Sequence, residues 1–177
     1  MNKYKKIFLV GYMASGKTTC GKLLATKIDF KFIDLDDYIE LKEGMKVADI
    51  FEIKGEIYFR KIETYYLKEL KRFDERIVIS LGGGTPCYGD NLKLLRDGND
   101  GVVIYLKASV EELVQRLTIA KNDRPLLSHL KSSESLLEFI SKHLFERNSY
   151  YFQANATISI DDKTPQNVVQ EIINWLF

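Results

Sequence analysis

The sequence has little of several residue types, and each shortage excludes a class of protein. Only two of its 177 residues are cysteine, Cys20 and Cys87, and they form no CxxC pair. We therefore expect free thiols in a reducing compartment rather than a disulfide framework or a cysteine-ligated metal site. Only three residues are proline, and the chain contains no linker, internal repeat or low-complexity segment that would divide it.

Charge of one sign and long apolar runs are also missing. The 26 Lys and Arg residues nearly balance the 25 Asp and Glu residues, which leaves a formal net charge of +1. No global field therefore attracts nucleic acid or an anionic membrane. No stretch approaches the ~20 apolar residues of a membrane span, and the apolar run at 7–10 is too short for a signal peptide. We expect a cytoplasmic protein with neither a nucleic-acid nor a membrane partner.

The sequence does contain a regular alternation of short apolar runs and amphipathic segments. The runs predict strands at 6–10, 30–35, 77–81, 101–106 and 156–160. The segments between them predict helices at 17–28, 38–43, 47–54, 57–73, 91–96, 110–120, 135–151 and 165–177. This alternation predicts a single α/β domain over residues 1–177, with a parallel sheet covered by helices on both faces. Such sheets bind ligands beyond the carboxyl ends of their strands.

Residues 11–18, Gly-Tyr-Met-Ala-Ser-Gly-Lys-Thr, match the phosphate-loop pattern G-x-x-x-x-G-K-[ST]. The alternative is a plain glycine turn, but the match follows a predicted strand and opens a predicted helix. Backbone N–H groups and the helix N-terminus can then point at phosphate oxygens. Lys17 is expected to reach the β- and γ-phosphates, and the Thr18 hydroxyl to bind Mg²⁺. Ala14 stands where many related loops have glycine, and alanine is tolerated there if its φ is negative.

Two aspartates, Asp34 and Asp36, lie at the end of the second predicted strand. Residues two apart in a strand share a face, so both carboxylates are expected to point into one cleft. One carboxylate can then attend the metal ion while the other holds the acceptor hydroxyl. The alternative is a helix N-cap, a role that Asp37 can fill alone.

Three glycines, Gly82-Gly83-Gly84, directly follow the third predicted strand. Without side chains, they allow a ligand to approach the backbone N–H groups at this edge of the sheet. On the long predicted helix, Arg60 precedes Glu63 by one turn. That carboxylate can hold the guanidinium fork against an acceptor carboxylate, although considered alone the pair is better explained as a surface ion pair.

Two further arginines lie in the second half of the chain. Arg124 precedes Pro125 in a polar stretch, residues 121–131, that is typical of a lid from which an arginine contacts the transferring phosphoryl group. Arg147 lies late in a predicted helix. Considered alone, both are ordinary surface arginines. The aromatic residues 150–152 are interpreted as helix packing, because no basic stripe accompanies them.

Taken in order, these motifs resemble those of the shikimate kinase family over essentially the whole chain. The resemblance rests on the phosphate loop, the acidic pair, the triple glycine and three further segments. These segments are 48–63 with Gly-Glu-x-x-Phe-Arg-x-x-Glu, 124–127 with Arg-Pro-Leu-Leu, and 146–151 with Glu-Arg-x-x-x-Tyr. The phosphate loop alone is common to many enzymes, whereas the combination is far more specific. It implies transfer of the γ-phosphoryl group of MgATP to the 3-hydroxyl of shikimate, in chorismate and aromatic amino acid biosynthesis.

The resemblance also implies a fold and a set of site residues. The fold is a nucleoside-monophosphate-kinase-like P-loop domain with five parallel strands in the order 2-3-1-4-5, a lid at about 121–131 and substrate-binding helices at about 36–72. The implied catalytic residues are Lys17, Asp36 and Arg124, and the implied Mg²⁺ ligands are Thr18 and Asp34. Shikimate binding is implied for Asp36, Arg60, Gly82, Gly83, Gly84 and Arg147. ATP binding is implied for Gly11, Ala14, Ser15, Gly16, Lys17, Thr18, Thr19, Arg116, Arg124 and Lys163. Arg116 is similar to the residue that stacks on adenine, and related enzymes are often monomers.

Other functions also use a phosphate loop. A kinase acting on gluconate or a nucleoside monophosphate would share the scaffold, but Asp36, Arg60 and Arg147 together suit a hydroxylated carboxylic acid. A module that binds ATP without turnover would be expected to have lost Lys17 or an acidic residue, and these are present. A GTPase is disfavoured because the sequence has no Asn-Lys-x-Asp motif.

Overall fold

A computed structural model describes residues 4–119 and 132–177. Five strands form one sheet: β1 (Lys6–Val10), β2 (Lys31–Asp34), β3 (Ile77–Ser80), β4 (Gly101–Lys107) and β5 (Ala156–Ser159). Every neighbouring pair is parallel, and the order is β2-β3-β1-β4-β5. The predicted sheet and its strand order are therefore confirmed.

Seven helices are described, with a short 3₁₀ turn at Thr85–Cys87. They are α1 (Lys17–Ile28), α2 (Leu35–Glu43), α3 (Val47–Arg72), α4 (Asn91–Arg96), α5 (Val110–Ile119), α6 (Ser133–Tyr151) and α7 (Pro165–Leu176). Each predicted helix has a counterpart among them, and the two predicted at 47–54 and 57–73 meet in α3. Gly55 interrupts α3 with non-helical angles, φ 80° and ψ 167°, at the break between the two predicted segments. Among the described residues, no helix is both long and apolar enough to cross a membrane.

The core lies on both faces of the sheet. All residues of the central strand β1 and of its neighbour β3 are buried. Strands with helices on both faces have no solvent-facing side, which is why their sequences are continuous apolar runs. The edge strand β5 instead alternates buried and exposed residues.

The second strand is shorter than predicted. It ends at Asp34, and Leu35 already begins α2. Asp36 therefore lies in the first turn of a helix, and the expectation that Asp34 and Asp36 share one face of a strand is wrong. Both residues still lie at the carboxyl edge of the sheet. The phosphate loop after β1 and the triple glycine after β3 lie at the same edge, because neighbouring parallel strands end together.

Candidate active site

The phosphate loop joins β1 to α1, and its backbone leaves donors for an anion. Gly11 has φ 146°, and a β-carbon there would lie 2.6 Å from the backbone oxygen of Leu106, so only glycine fits. Gly16 has φ 85° and caps α1, with no side chain bonded to the first N–H groups of the helix. Those N–H groups and the helix dipole favour a phosphate at this position.

Ala14 adopts a left-handed backbone conformation with φ 64°. The condition that its φ be negative is therefore not met. An alanine in this region costs on the order of 1 kcal/mol, which tertiary contacts must offset. One such contact comes from α5: Nη1 of Arg116 donates to the Ala14 carbonyl at 3.2 Å. Arg116 is itself held by Glu112, with Nε to Oε1 at 2.7 Å.

Lys17 is buried at the base of the loop. Its ammonium donates to the carbonyl oxygens of Gly11 and Tyr12, both at 2.8 Å. These bonds fix the loop around the lysine and keep its charge beside the cleft. Next to it, the Ser15 hydroxyl is buried and has no hydrogen-bond partner among the described residues.

Asp34 has two roles, one at each carboxylate oxygen. Its Oδ1 accepts the backbone N–H of Asp36 at 3.1 Å and so caps α2. Its Oδ2 accepts the Thr18 hydroxyl at 2.7 Å. The alternative of a helix N-cap is therefore confirmed, and Asp34 rather than Asp37 supplies the cap.

The Thr18 and Asp34 oxygens suit a magnesium ion, which takes oxygen ligands and is commonly bound by one carboxylate together with substrate phosphates. In residues 4–119 and 132–177, no group of three or more His, Cys, Asp or Glu side chains forms a metal cage. The donor set present therefore fits an ion that completes its coordination with nucleotide oxygens and water.

Asp36 is a carboxylate in an environment that disfavours its charge. Burial, followed by the nearby charges of Asp34 and Glu63, raises the pKa of Asp36 to about 6, against the opposing influence of Lys17 and Arg60. Near neutral pH the group is mainly ionised, and it gains a proton readily below that. Such a carboxylate accepts a hydrogen bond from a hydroxyl at neutral pH.

Arg60 is held by acidic and aromatic groups. Nη1 donates to Oε2 of Glu63 at 2.9 Å, and Nε lies 3.3 Å from Oε1 of Glu56. Glu63 is fully buried and also accepts the Thr85 hydroxyl at 2.6 Å. The predicted Arg60–Glu63 pair is thus confirmed, but as a buried pair rather than a surface one. The guanidinium also lies 5.4–5.9 Å from the ring centroids of Phe51, Phe59 and Tyr88.

The triple-glycine loop is the point at which the predicted acceptor residues meet. A β-carbon built on Gly82 would lie 3.3 Å from Oδ1 of Asp36. One built on Gly83 would lie 3.6 Å from Nη1 of Arg147, and one built on Gly84 would lie 2.6 Å from Nη2 of Arg60. The guanidinium of Arg147 also lies 5.6 Å from the ring centroid of Tyr12 in the phosphate loop. A carboxylate and two guanidinium groups thus lie along the triple-glycine loop, beside the phosphate loop.

The phosphate loop, the acidic pair and the first two glycines of the triple glycine border one cleft, with about 890 Å³ of space that includes open solvent. Its lining comprises residues 13, 14 and 16–19 of the phosphate loop and α1, both Asp34 and Asp36, residues 80–83, and Arg116. The cleft therefore joins the phosphate loop to the acidic pair and the triple glycine. An anionic nucleotide and a polar acceptor can occupy its two ends.

Six predicted site residues in the described part of the chain do not line this cleft: Gly11, Ser15, Arg60, Gly84, Arg147 and Lys163. The ammonium of Lys163 pairs with Glu171 of α7 at 2.8 Å, and Lys163 does not line the cleft. Arg124 and the predicted lid at 121–131 lie outside the described residues.

Two tyrosines near the site were not predicted to have a role there. Tyr12 is buried beneath Arg147, and the Tyr151 hydroxyl donates to the Gly83 carbonyl at 2.6 Å. Packing was predicted for residues 150–152, and Tyr151 does pack, but its hydroxyl also bonds the glycine loop. The available signals were its place one helical turn after Arg147 and its part in the Glu-Arg-x-x-x-Tyr segment.

Known proteins resemble this chain over nearly its whole length. A family profile described as "Shikimate kinase" matches residues 13–177. The "Shikimate kinase" of Flavobacterium psychrophilum is 50% identical over 173 residues, which are 98% of this chain and 99% of that protein. A crystal structure of shikimate kinase from Bacteroides thetaiotaomicron has a TM-score of 0.88 and 38% identity, covering 97% of both chains. Shikimate kinase from Acinetobacter baumannii in complex with shikimate has a TM-score of 0.84 and 35% identity, covering 97% of this chain and 92% of that one.

Proposed function

Because the chain belongs to the shikimate kinase family, we propose that it transfers the γ-phosphoryl group of MgATP to the 3-hydroxyl of shikimate. The products are shikimate 3-phosphate and ADP, on the route to chorismate and the aromatic amino acids. One observation carries the proposal: Asp36, Arg60 and Arg147 each have an atom within 3.6 Å of the place that a β-carbon would take on one of the three glycines. That set of charges matches an acceptor with one carboxylate and several hydroxyls.

The nucleotide end of the cleft is assigned to the phosphate loop. Lys17 and the loop N–H groups bind the phosphates, with Gly11, Ala14, Ser15, Gly16 and Thr19 contributing to the cradle. Thr18 and Asp34 hold Mg²⁺, and their contact at 2.7 Å supports this assignment. When bound, Mg²⁺ neutralises charge on the β- and γ-phosphate oxygens.

The acceptor end is assigned to the groups around the triple glycine. Arg60 and Arg147 bind the carboxylate, as guanidinium groups pair well with planar anions. Asp36 accepts a hydrogen bond from the 3-hydroxyl and aims its oxygen at the γ-phosphorus. Phosphoryl transfer passes through a loose transition state, so positioning and charge neutralisation supply most of the rate and a strong base is not needed.

The remaining nucleotide contacts are assigned to three cations. Arg116 stacks on the adenine, and its bond to the Ala14 carbonyl supports a position beside the phosphate loop. Lys163 is assigned to the adenine pocket from the family resemblance alone, since in the structure its ammonium pairs with Glu171 at 2.8 Å. Arg124 closes over the γ-phosphoryl group from the lid at about 121–131, while residues at about 36–72 form the substrate-binding helices.

We also propose that the chain acts as a cytoplasmic monomer with no nucleic-acid or membrane partner. The near-balanced charge, +1 overall, supports the absence of a nucleic-acid or anionic-membrane partner.

The experiment that tests the proposal is ADP release from MgATP by the purified protein with shikimate, gluconate and nucleoside monophosphates offered separately. Turnover with shikimate alone is expected. Turnover with a different acceptor would leave the phosphate loop assigned and overturn the acceptor site. Absence of turnover with all of them would favour an ATP-binding module, and the Lys17→Ala variant controls for contaminating kinases.

A further inference from the structure

The three carbonyl groups of the triple-glycine loop are all occupied by protein donors. Those of Gly82 and Gly84 accept backbone N–H groups of the 3₁₀ turn Thr85–Cys87, at 3.1 and 2.9 Å. The carbonyl of Gly83 accepts the Tyr151 hydroxyl at 2.6 Å. In contrast, the N–H groups of the three glycines donate to no protein group in the part of the chain that the structure describes.

This asymmetry gives the loop a polarity that suits its neighbours in the cleft. Gly82 and Gly83 line the cleft, so unpaired N–H donors are available there while the carbonyl oxygens are engaged elsewhere. A ligand rich in carboxylate and hydroxyl oxygens is favoured by donors and repelled by a free carbonyl oxygen. The Gly82 and Gly84 carbonyls are held by local backbone bonds, whereas the Gly83 carbonyl depends on one side chain 68 residues away.

We propose that Tyr151 is a positioning residue of the acceptor site. Its hydroxyl holds the Gly83 carbonyl away from the cleft, and this keeps the N–H groups of the triple-glycine loop available to the acceptor. The inference rests on the proposed function, because it takes shikimate as the acceptor. The Tyr151 hydroxyl also has a hydrogen bond with Arg147, so the ¹⁵N resonances of Gly82–Gly84 are needed to distinguish an effect through the glycine loop from one through Arg147.

Tyr151 is well placed to hold the loop rigidly. It is fully buried, and its ring stacks on Tyr105 with the centroids 5.0 Å apart. Burial raises its pKa, so the hydroxyl stays protonated and remains a donor at any working pH. Tyr151 also follows Arg147 by one turn of α6, so one helix face sets both the guanidinium and the glycine loop.

The test compares Tyr151→Phe with Tyr105→Phe. Both substitutions remove one hydroxyl from the same buried stack, but the Tyr105 hydroxyl bonds Asn148 at 3.3 Å and does not contact the loop. For Tyr151→Phe, we expect the KM for shikimate to rise about fivefold or more while the KM for ATP stays within about twofold. Tyr105→Phe should leave both KM values within about twofold. Melting temperatures of both variants measure the stability that each hydroxyl contributes.

Two kinetic outcomes would overturn the positioning role. One is an unchanged KM for shikimate in Tyr151→Phe, and the other is an equal rise in both KM values, which would indicate a general structural defect. Failure of the wild-type protein to phosphorylate shikimate would instead contradict the proposed function. In that case the effect of the Tyr151 hydroxyl on the glycine loop is tested without substrate, from the ¹⁵N chemical shifts of Gly82–Gly84. They should change in Tyr151→Phe and stay in place in Tyr105→Phe, and unshifted resonances in Tyr151→Phe would refute the role.

Discussion

A β-carbon on Gly84 would lie 2.6 Å from Nη2 of Arg60. Gly84 has φ −88°, which any residue can adopt, so it is the arginine rather than the backbone that excludes a side chain. On its other side the guanidinium is held by Glu63 at 2.9 Å. The glycine and the carboxylate together fix where this cation can lie.

Substituting Gly84 should therefore act through Arg60. In Gly84→Ala, the methyl group displaces the guanidinium, and we expect the KM for shikimate to rise about tenfold with little change in the KM for ATP. Steady-state kinetics with each substrate varied in turn measures both constants. Gly84→Ala should add little to the defect of Arg60→Ala in the double variant. Full additivity would mean that the two residues act independently and would refute the explanation.

Lys17→Ala should abolish turnover without unfolding the protein. The ammonium lies in the phosphate loop, and its loss removes the charge that faces the β- and γ-phosphates. A fall in kcat of about 10³-fold or more is expected. Lys27→Ala, an exposed lysine on the same helix, is the matched control and should retain wild-type kcat. Circular dichroism verifies the fold, and near-normal kcat in Lys17→Ala would contradict the assigned mechanism.

Asp36→Asn should stabilise the free protein, more so at high pH. The pKa of Asp36 is raised to about 6 in the folded state from 3.8, so its ionisation disfavours folding as pH rises through this window. The variant's gain in free energy of unfolding should reach about 1–3 kcal/mol at pH 7.5 and shrink toward pH 4.5. Urea denaturation across that range measures it. A gain for Asp36→Asn that does not vary with pH would show that ionisation of Asp36 is not its cause.

Ala14→Gly tests the strain in the phosphate loop. Alanine at φ 64° is disfavoured, and relief of that cost outweighs the greater freedom of glycine in the unfolded chain. We expect a rise of about 0.5–1 kcal/mol in the free energy of unfolding, measured by urea denaturation. Ala25→Gly, at a buried position inside α1, should instead lower it by about 1 kcal/mol or more. Equal losses in both variants would show that Ala14 is not strained.

The fold could be predicted from the sequence because its signals are local. β1 and β3 are buried over their whole length, so their sequences are uninterrupted apolar runs. The phosphate loop has a fixed pattern between a strand and a helix, and Gly55 marks the break in α3. The apolar run predicted that β2 continues to residue 35. In the structure the strand stops at Asp34, because the Asp36 N–H donates to the Asp34 carboxylate and α2 begins there.

The parts of the site that could not be predicted depend on contacts between distant residues. The backbone of Ala14 is supported by Arg116, 102 residues away. The Gly83 carbonyl is bonded by Tyr151, 68 residues away. Arg60 and Glu63 were recognisable as a helix pair, but the complete burial of Glu63 depends on surrounding packing that one sequence does not reveal.

The central claim is tested most directly by identifying the product that the protein forms from shikimate and MgATP. Two-dimensional ¹H–³¹P NMR of the reaction mixture reports which ring proton couples to the new phosphate. We expect a single product with the phosphorus coupled to the proton on carbon 3, formed by the wild-type protein and absent with Lys17→Ala. A phosphate on another hydroxyl, or no phosphorylated shikimate at all, would contradict it.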